Sequence, residues 1–401
     1  MEIMAIARIN GKIISWALHR SGASLESLAT KKISLEKLSL WERGKEFPSE
    51  GDAEALAVRL GIAYPMLFME NVPPEEPLAI PDRRTVDGRP LTNPSLALLD
   101  VLDSTRARQN WYRAEMEALG YSPLAYVAKF PADAAPSVVA TDMRTTFNLD
   151  SAAMHEARDY EGFLKALVSK AEDLGILVMR SAVVGHASRR TLQVKEFRGF
   201  ALLDPFAPIV FINDTDAKAA QIFTFAHEVA HVWIGASGVS DRTPNEKGSS
   251  SNIVETRCDA IAAEFLAPEK EILSFWKPSQ PLDRNMFAAS RHFNVSSLVI
   301  LRRAKDLNLI SSGEFFAKVD EQYEAYRRKE REDREKLARA SSKKKKGGNF
   351  WNSFEICNGH KFNATVVNAV RSRRATYAEA GSLFGINPGA AARYLQKLGA
   401  K

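Results

Sequence analysis

The sequence predicts an α+β, multidomain protein, and three observations predict it. Apolar residues recur at helical spacing through residues 10–70, strand-like stretches lie between 175 and 212, and a Lys/Gly-rich run at 343–348 sets off a short tail. A chain of 401 residues has room for two or three domains. The expected division is an all-α helix-turn-helix module at 1–71 and a linker with connecting helices at 72–125. A central α+β domain with a small sheet and an HExxH helix follows at 126–320. A charged helix and Lys/Gly-rich linker at 321–349 then lead to a small basic helical tail domain at 350–401.

Composition narrows the class. Apolar residues make up 45% and charged residues 26%, as in soluble globular proteins. The formal net charge of +6 owes much to one lysine run, so it carries little weight as a pointer to partners. The two cysteines, Cys258 and Cys357, lie far apart and outside any CxxC pair, which argues against a disulfide framework and for a reducing cytoplasm. No signal-peptide pattern and no apolar run of ~18 residues is found, so neither secretion nor a membrane span is expected.

Each element has its own reason. Ile13, Ile14, Ala17 and Leu18 make one short helical face, broken at Gly22. Leu25, Leu28 and Ala29 follow the cap candidate Ser24, and Leu35, Leu38 and Trp41 follow Ser34. Ala53, Leu56, Ala57 and Leu60 form a fourth face ending at Gly61. Val72 to Pro77 reads as a linker because its prolines cannot continue a helix. Helical spacing returns over 95–125 and again from Phe163 to Leu174. Gly175–Val184 and Phe200–Ile212 read as strands, the second interrupted by a turn at Asp204-Pro205. Helices are expected at about 217–235 and 252–266, a charged helix at 322–340 and a helical tail from 350.

The most informative segment runs from Phe223 to Trp233 and contains His227-Glu228-Val229-Ala230-His231. Residues four apart share a helix face, so His227 and His231 can reach one metal ion. Glu228 stands beside a ligand, where a carboxylate can take a proton from a metal-polarised water. A second helix, Glu255 to Leu266, follows, and small residues at Ala260, Ala262 and Ala263 permit close approach. A carboxylate on it can complete a set of two histidines and one glutamate with the fourth zinc position open. Asp259, one turn from Glu255, can hold the outer nitrogen of a liganding histidine. His19, His155, His186, His292 and His360 lack a partner at ligand spacing and read as surface or satisfied core residues.

HExxH followed by Glu-x-x-x-Asp resembles the two-motif pattern of gluzincin peptidases. More narrowly, Arg198–Asn213, Phe223–Trp233 and the helix Glu255–Pro268 resemble the ImmA/IrrE family of metallo-endopeptidases, with Cys258 where alanine is usual and Ile261 where phenylalanine is usual. Phe293 to Ile310 resembles the helical segment that often follows that core. The resemblance implies a zincin-like domain binding Zn2+ through His227, His231 and Glu255, with Glu228 as catalytic base and Asp259 orienting a ligand.

Leu38 to Ser49 resembles the signature ending the recognition helix of XRE/Cro-type regulators, and Pro77 to Thr85 resembles the connector of regulators carrying both modules. Here the stretch between Ala29 and Trp41 is one residue shorter than that pattern and lacks the central glycine. The groove-facing candidates are Ser34, Glu36, Lys37 and Ser39, with Arg43 beyond them; Glu36 would repel phosphate. In the tail, Arg371-Ser372-Arg373-Arg374, Arg393 and Lys397 give a short helix pair a basic edge, with nucleic acid and protein both open as its target.

The expected function is a cytoplasmic regulatory zinc metallo-endopeptidase that cleaves a protein partner, such as a repressor or toxin encoded nearby. Its coupling to transcription, and any contact with DNA, would run through the N-terminal module; no membrane is involved, and a dimer is compatible. The alternative is a non-proteolytic repressor or antitoxin-like regulator whose metal domain recognises a partner or signal.

Overall fold

The computed structural model describes residues 6–21, 24–30, 32–73, 94–149, 159–186, 190–235, 238–240, 253–339 and 350–399. The linker expected from residue 74 on, the connector to Thr85, His155 and the Lys/Gly joint lie outside them. The described residues divide into two compact units, one reaching Thr105 and one beginning at Arg106.

The first unit is helical: α1 (Gly11–Ser21), α2 (Leu25–Leu28), α3 (Leu35–Glu42), α4 (Glu50–Leu60), a 3-10 turn (Tyr64–Phe68) and the start of α5 (Leu96–Ala118). Ile13, Ile14, Leu28, Leu38, Trp41 and Leu56 meet in its core, as their spacing requires. Ser34 and Ser49 cap α3 and α4 through their side chains, accepting from Lys37 N and Asp52 N. Gly61 closes α4 in the left-handed conformation. α2 amounts to one turn.

In the second unit, α6 (Pro136–Thr146) and α7 (Tyr160–Leu174) precede the sheet, made of β1 (Leu177–Ser181), β2 (Gly199–Leu202), β3 (Ile209–Asn213) and a short β4 (Gly238–Ser240). The strand order is β1-β3-β2-β4; β1 runs parallel to β3, and β2 runs antiparallel to both β3 and β4. The turn expected at Asp204-Pro205 separates β2 from β3, because Asp204 Oδ1 accepts from the backbone of Phe206 and Ala207 and so reverses the chain. α8 (Lys218–Ile234) and α9 (Ile253–Leu266) follow β3. Then come α10 (Glu269–Phe275), α11 (Leu282–Phe293), α12 (Ser297–Asp306) and α13 (Ser312–Arg339). α13 starts ten residues before the expected 322, since Phe315 and Val319, one turn apart, are buried in the same core as α8 and α9.

The tail consists of α14 (Phe350–Asn358), α15 (His360–Arg371), α16 (Tyr377–Phe384) and α17 (Pro388–Gly399). Its aromatic centre is Phe354, Phe384 and Tyr394, with ring centroids 4.7–5.7 Å apart. The part of α5 after Arg106 braces this unit. Gln109 Nε2 donates to the Leu202 and Ala207 carbonyls at either end of the β2–β3 turn, and Arg108 Nε donates to the Leu383 carbonyl of the tail. The fold is α+β and mostly helical with a small sheet, as the sequence predicts.

Candidate metal centre

α8 is fixed at its start by the loop leaving β3. Asn213 Nδ2 donates to the Phe197 carbonyl at 3.0 Å, and Gln221 Nε2 donates to the Asp216 carbonyl at 2.7 Å. From Gln221 to Ile234 every residue is buried, which explains the apolar run around the histidines. A helix buried on all sides leaves its polar groups nothing to meet except each other or a ligand. Gly235 ends it in the left-handed conformation.

His227 and His231 lie one turn apart with their Nε2 atoms 3.1 Å from each other. α9 brings Glu255 to the same point: Oε2 lies 3.1 Å from His227 Nε2, and Oε1 lies 3.3 Å from His231 Nε2. Cys258 and Ala262, small and fully buried, let α9 come this close to α8. One donor atom from each of His227, His231 and Glu255 lies within 4.8 Å of the others. On the outer side, His227 Nδ1 lies 2.9 Å from Asp259 Oδ1, one turn along α9 from Glu255.

The electrostatics follow from burial and from these contacts. Burial pushes the Glu255 carboxyl up, but hydrogen bonds from both histidines outweigh it and hold the group well below the usual carboxylate range. Burial pushes His227 down, and Asp259 and Glu255 together overcome this and raise it. Glu228 is fully buried, and burial pushes its carboxyl well above the ordinary range. Both Glu228 oxygens lack a hydrogen-bond partner among the described residues.

The donor set fits a zinc ion. Two imidazole Nε2 atoms facing one another and a carboxylate gain least from pairing among themselves, because the histidines must then share protons in a dry site. A cation accepting one lone pair from each satisfies all three, and the pairing of His227 Nδ1 with Asp259 favours the tautomer with Nε2 free to ligate. Space for the Glu228 side chain comes from β2. A Cβ at Gly199 would stand 3.3 Å from Glu228 Cγ, 2.6 Å from Thr224 Cγ2 and 2.8 Å from the Phe211 carbonyl oxygen, so only glycine lets strand and helix approach like this.

The structure thus brings His227, Glu228, His231, Glu255 and Asp259 together. Ser34, Lys37, Ser39 and Arg43 belong to the first unit. There Ser34, Lys37 and Arg43 are exposed, Ser39 is half-buried, and the Ser34 hydroxyl is engaged in capping α3.

α6 falls outside the elements expected from the sequence. Its N-terminus, at Pro136 and Ser137, faces Phe223, Thr256, Asp259 and Arg302 across a cleft of about 370 Å³. Proline at the first helical position and the spacing of Val139, Ala140 and Met143 were the available signals. Arg144 ties α6 down by donating to the Phe265 carbonyl and pairing with Glu271.

A small sheet backed by a buried HExxH helix, with a glutamate delivered from the next helix, is an arrangement that suits a metallopeptidase-type domain. Residues 171–305 match the family model described as the IrrE N-terminal-like domain, peptidase family M78. The matched segment runs from the last turn of α7 to the end of α12 and contains all five site residues. No curated protein and no solved structure matches the chain. Among the described residues no helix is long and apolar enough to cross a membrane.

Proposed function

We propose that the second unit is a zinc-dependent metallo-endopeptidase with a regulatory role in the cytoplasm, cleaving a protein partner such as a repressor or toxin encoded nearby. The observation that carries this is the Glu228 carboxyl group, fully buried beside His227 with neither oxygen engaged by any of the described residues. A site built only to hold a metal or to bind a partner has no use for an unpaired carboxylate in a dry pocket, where it is costly. Zinc bound through His227, His231 and Glu255 supplies Lewis-acid polarisation of a carbonyl and of a water. Glu228 takes the proton from the attacking water and passes it to the leaving amide nitrogen, the role of a general base that becomes a general acid. Asp259 keeps the His227 ring in place.

The first unit is the proposed link to transcription. What supports it is the capped helix α3, which exposes Lys37 and is followed by the exposed Arg43, behind the one-turn α2. The free, buried thiols of Cys258 and Cys357 suit a reducing compartment. The reading is tested by incubating the zinc-loaded chain with the products of neighbouring genes and looking for a defined cut. Partners that bind and stay intact count against it.

A further inference from the structure

We propose that α16 and α17 form a helix-turn-helix, with α17 as the helix that enters the major groove of double-stranded DNA. The proposal stands apart from the peptidase reading and uses none of the metal-site residues.

The supersecondary geometry comes first. α16 is an eight-residue helix capped by the Thr376 hydroxyl, which accepts from Glu379 N. It ends at Gly385 in the left-handed conformation, φ +69°, and Ile386 N donates back to the Gly381 carbonyl. After the three-residue turn Gly385-Ile386-Asn387, the Asn387 side chain accepts from Ala390 N at 2.8 Å and starts α17. A short turn containing glycine between two helices is the mark of this motif. The two helices touch where the chain turns. A Cβ at Gly381 would stand 2.8 Å from the Ile386 carbonyl oxygen and 3.2 Å from Pro388 N, so a side chain there would force the pair apart. Ala380, Phe384, Ala391 and Tyr394 are buried and hold the pair on α14 and α15. By contrast, the first helix of the α2–α3 pair is a single turn.

The surface comes second. The inner face of α17 is Ala391, Tyr394 and Leu395; its exposed residues include Gly389, Arg393, Gln396 and Lys397, which share the opposite face at helical spacing. No acidic residue occurs in α17. Residues 350–399 carry six Lys and Arg against two Glu; Arg374 pairs with Glu115 outside this stretch, while Arg371, Arg373, Arg393 and Lys397 are exposed. The exposed Lys and Arg outnumber the glutamates, and that positive balance fits a phosphate backbone. Arginine and glutamine are the side chains that make paired hydrogen bonds to guanine and adenine edges. The small residues Gly389 and Ala392 at the start of α17 let its backbone approach a groove floor. Arg371 and Arg373 are exposed just before α16, the helix that crosses the phosphate backbone in this motif. α3, the other candidate, exposes Glu36 beside Lys37 and offers no such pair of base readers.

The test uses the full-length chain and a pool of DNA duplexes with a randomised centre, followed by affinity measurement on the enriched duplex over a range of salt. A defined motif should be enriched. Arg393→Ala and Gln396→Ala should each weaken the enriched duplex by about tenfold and relax the base preference at one position. Lys397→Ala should weaken all duplexes and lower the slope of log affinity against log salt by about one. These side chains are exposed, so the thermal melt of each variant should match the parent, and Arg393→Lys should restore affinity without the lost base preference. Failure to enrich any duplex at low salt overturns the proposal. So does an enriched motif that depends on Lys37 and Arg43 but not on Arg393 and Gln396, or a preference for RNA over every duplex.

Discussion

His227 Nδ1 lies 2.9 Å from Asp259 Oδ1, while the Nε2 of the same ring faces Glu255, one turn away on the same helix. One helix thus provides both the third ligand and the group that orients the first. Asp259→Asn should keep the fold and the metal stoichiometry but weaken zinc affinity by about 10–100-fold, as loss of such partners does elsewhere. Competition with a chelator of known affinity measures it; unchanged affinity would mean that Asp259 is only a surface charge.

Two glutamates on α9 separate ligand from scaffold. Glu255 faces both histidines, whereas Glu264 pairs with Arg303 and accepts from Glu269 N at 3.1 Å. Glu255→Gln should strip most of the zinc at micromolar metal. Glu264→Gln should retain it while lowering the melting temperature by a few degrees, through the Arg303 left behind. Metal analysis of the two variants side by side checks this, and equal zinc loss would show that the third ligand is misassigned.

His186 should make the tail's attachment sensitive to pH. Its Nε2 lies 2.8 Å from the Phe384 carbonyl oxygen, and its ring stacks on Phe354. Burial lowers its pKa; the Phe384 carbonyl works against this and Arg108 adds to it. With the folded value below the unfolded one, stability is fully present above about 6.5 and is lost as pH falls through that value towards the folded one, because the unfolded chain takes up the proton first. The melting temperature of the zinc-loaded protein should therefore fall more between neutral and mildly acid pH than that of His186→Gln. The difference between the two cancels other titrations, and parallel pH profiles would remove His186 as the cause.

What was legible in the sequence was whatever rests on short-range periodicity. His227 and His231 declare a shared face by their spacing, and the break between β2 and β3 is written in Asp204-Pro205. β4 is three residues long, too short to leave a pattern, and is ordered by pairing with β2 rather than by its own preference. α6 has a brief apolar stripe, and its place beside the cleft depends on the long-range contacts of Arg144. The charged stretch around 322–340 hid a helix whose anchor, Phe315 and Val319, lies earlier in the chain. In the tail the helices and the basic edge were readable. That α16 and α17 are locked into one motif through Gly381 was not, since a glycine inside a helix reads as a weakness until its neighbours are known.

The central claim rests on Glu228, and replacing it with glutamine tests the claim most directly. Glu228→Gln keeps the size of the side chain and removes its capacity to carry a proton from water to the leaving nitrogen. With zinc content and melting temperature confirmed as unchanged, cleavage of the partner should fall by about 10²–10⁴, and the cellular effect of the protein should disappear with it. Cleavage and reporter output matching the parent, with zinc in place, would contradict the account and make the metal domain a recognition module of a repressor or antitoxin-like regulator.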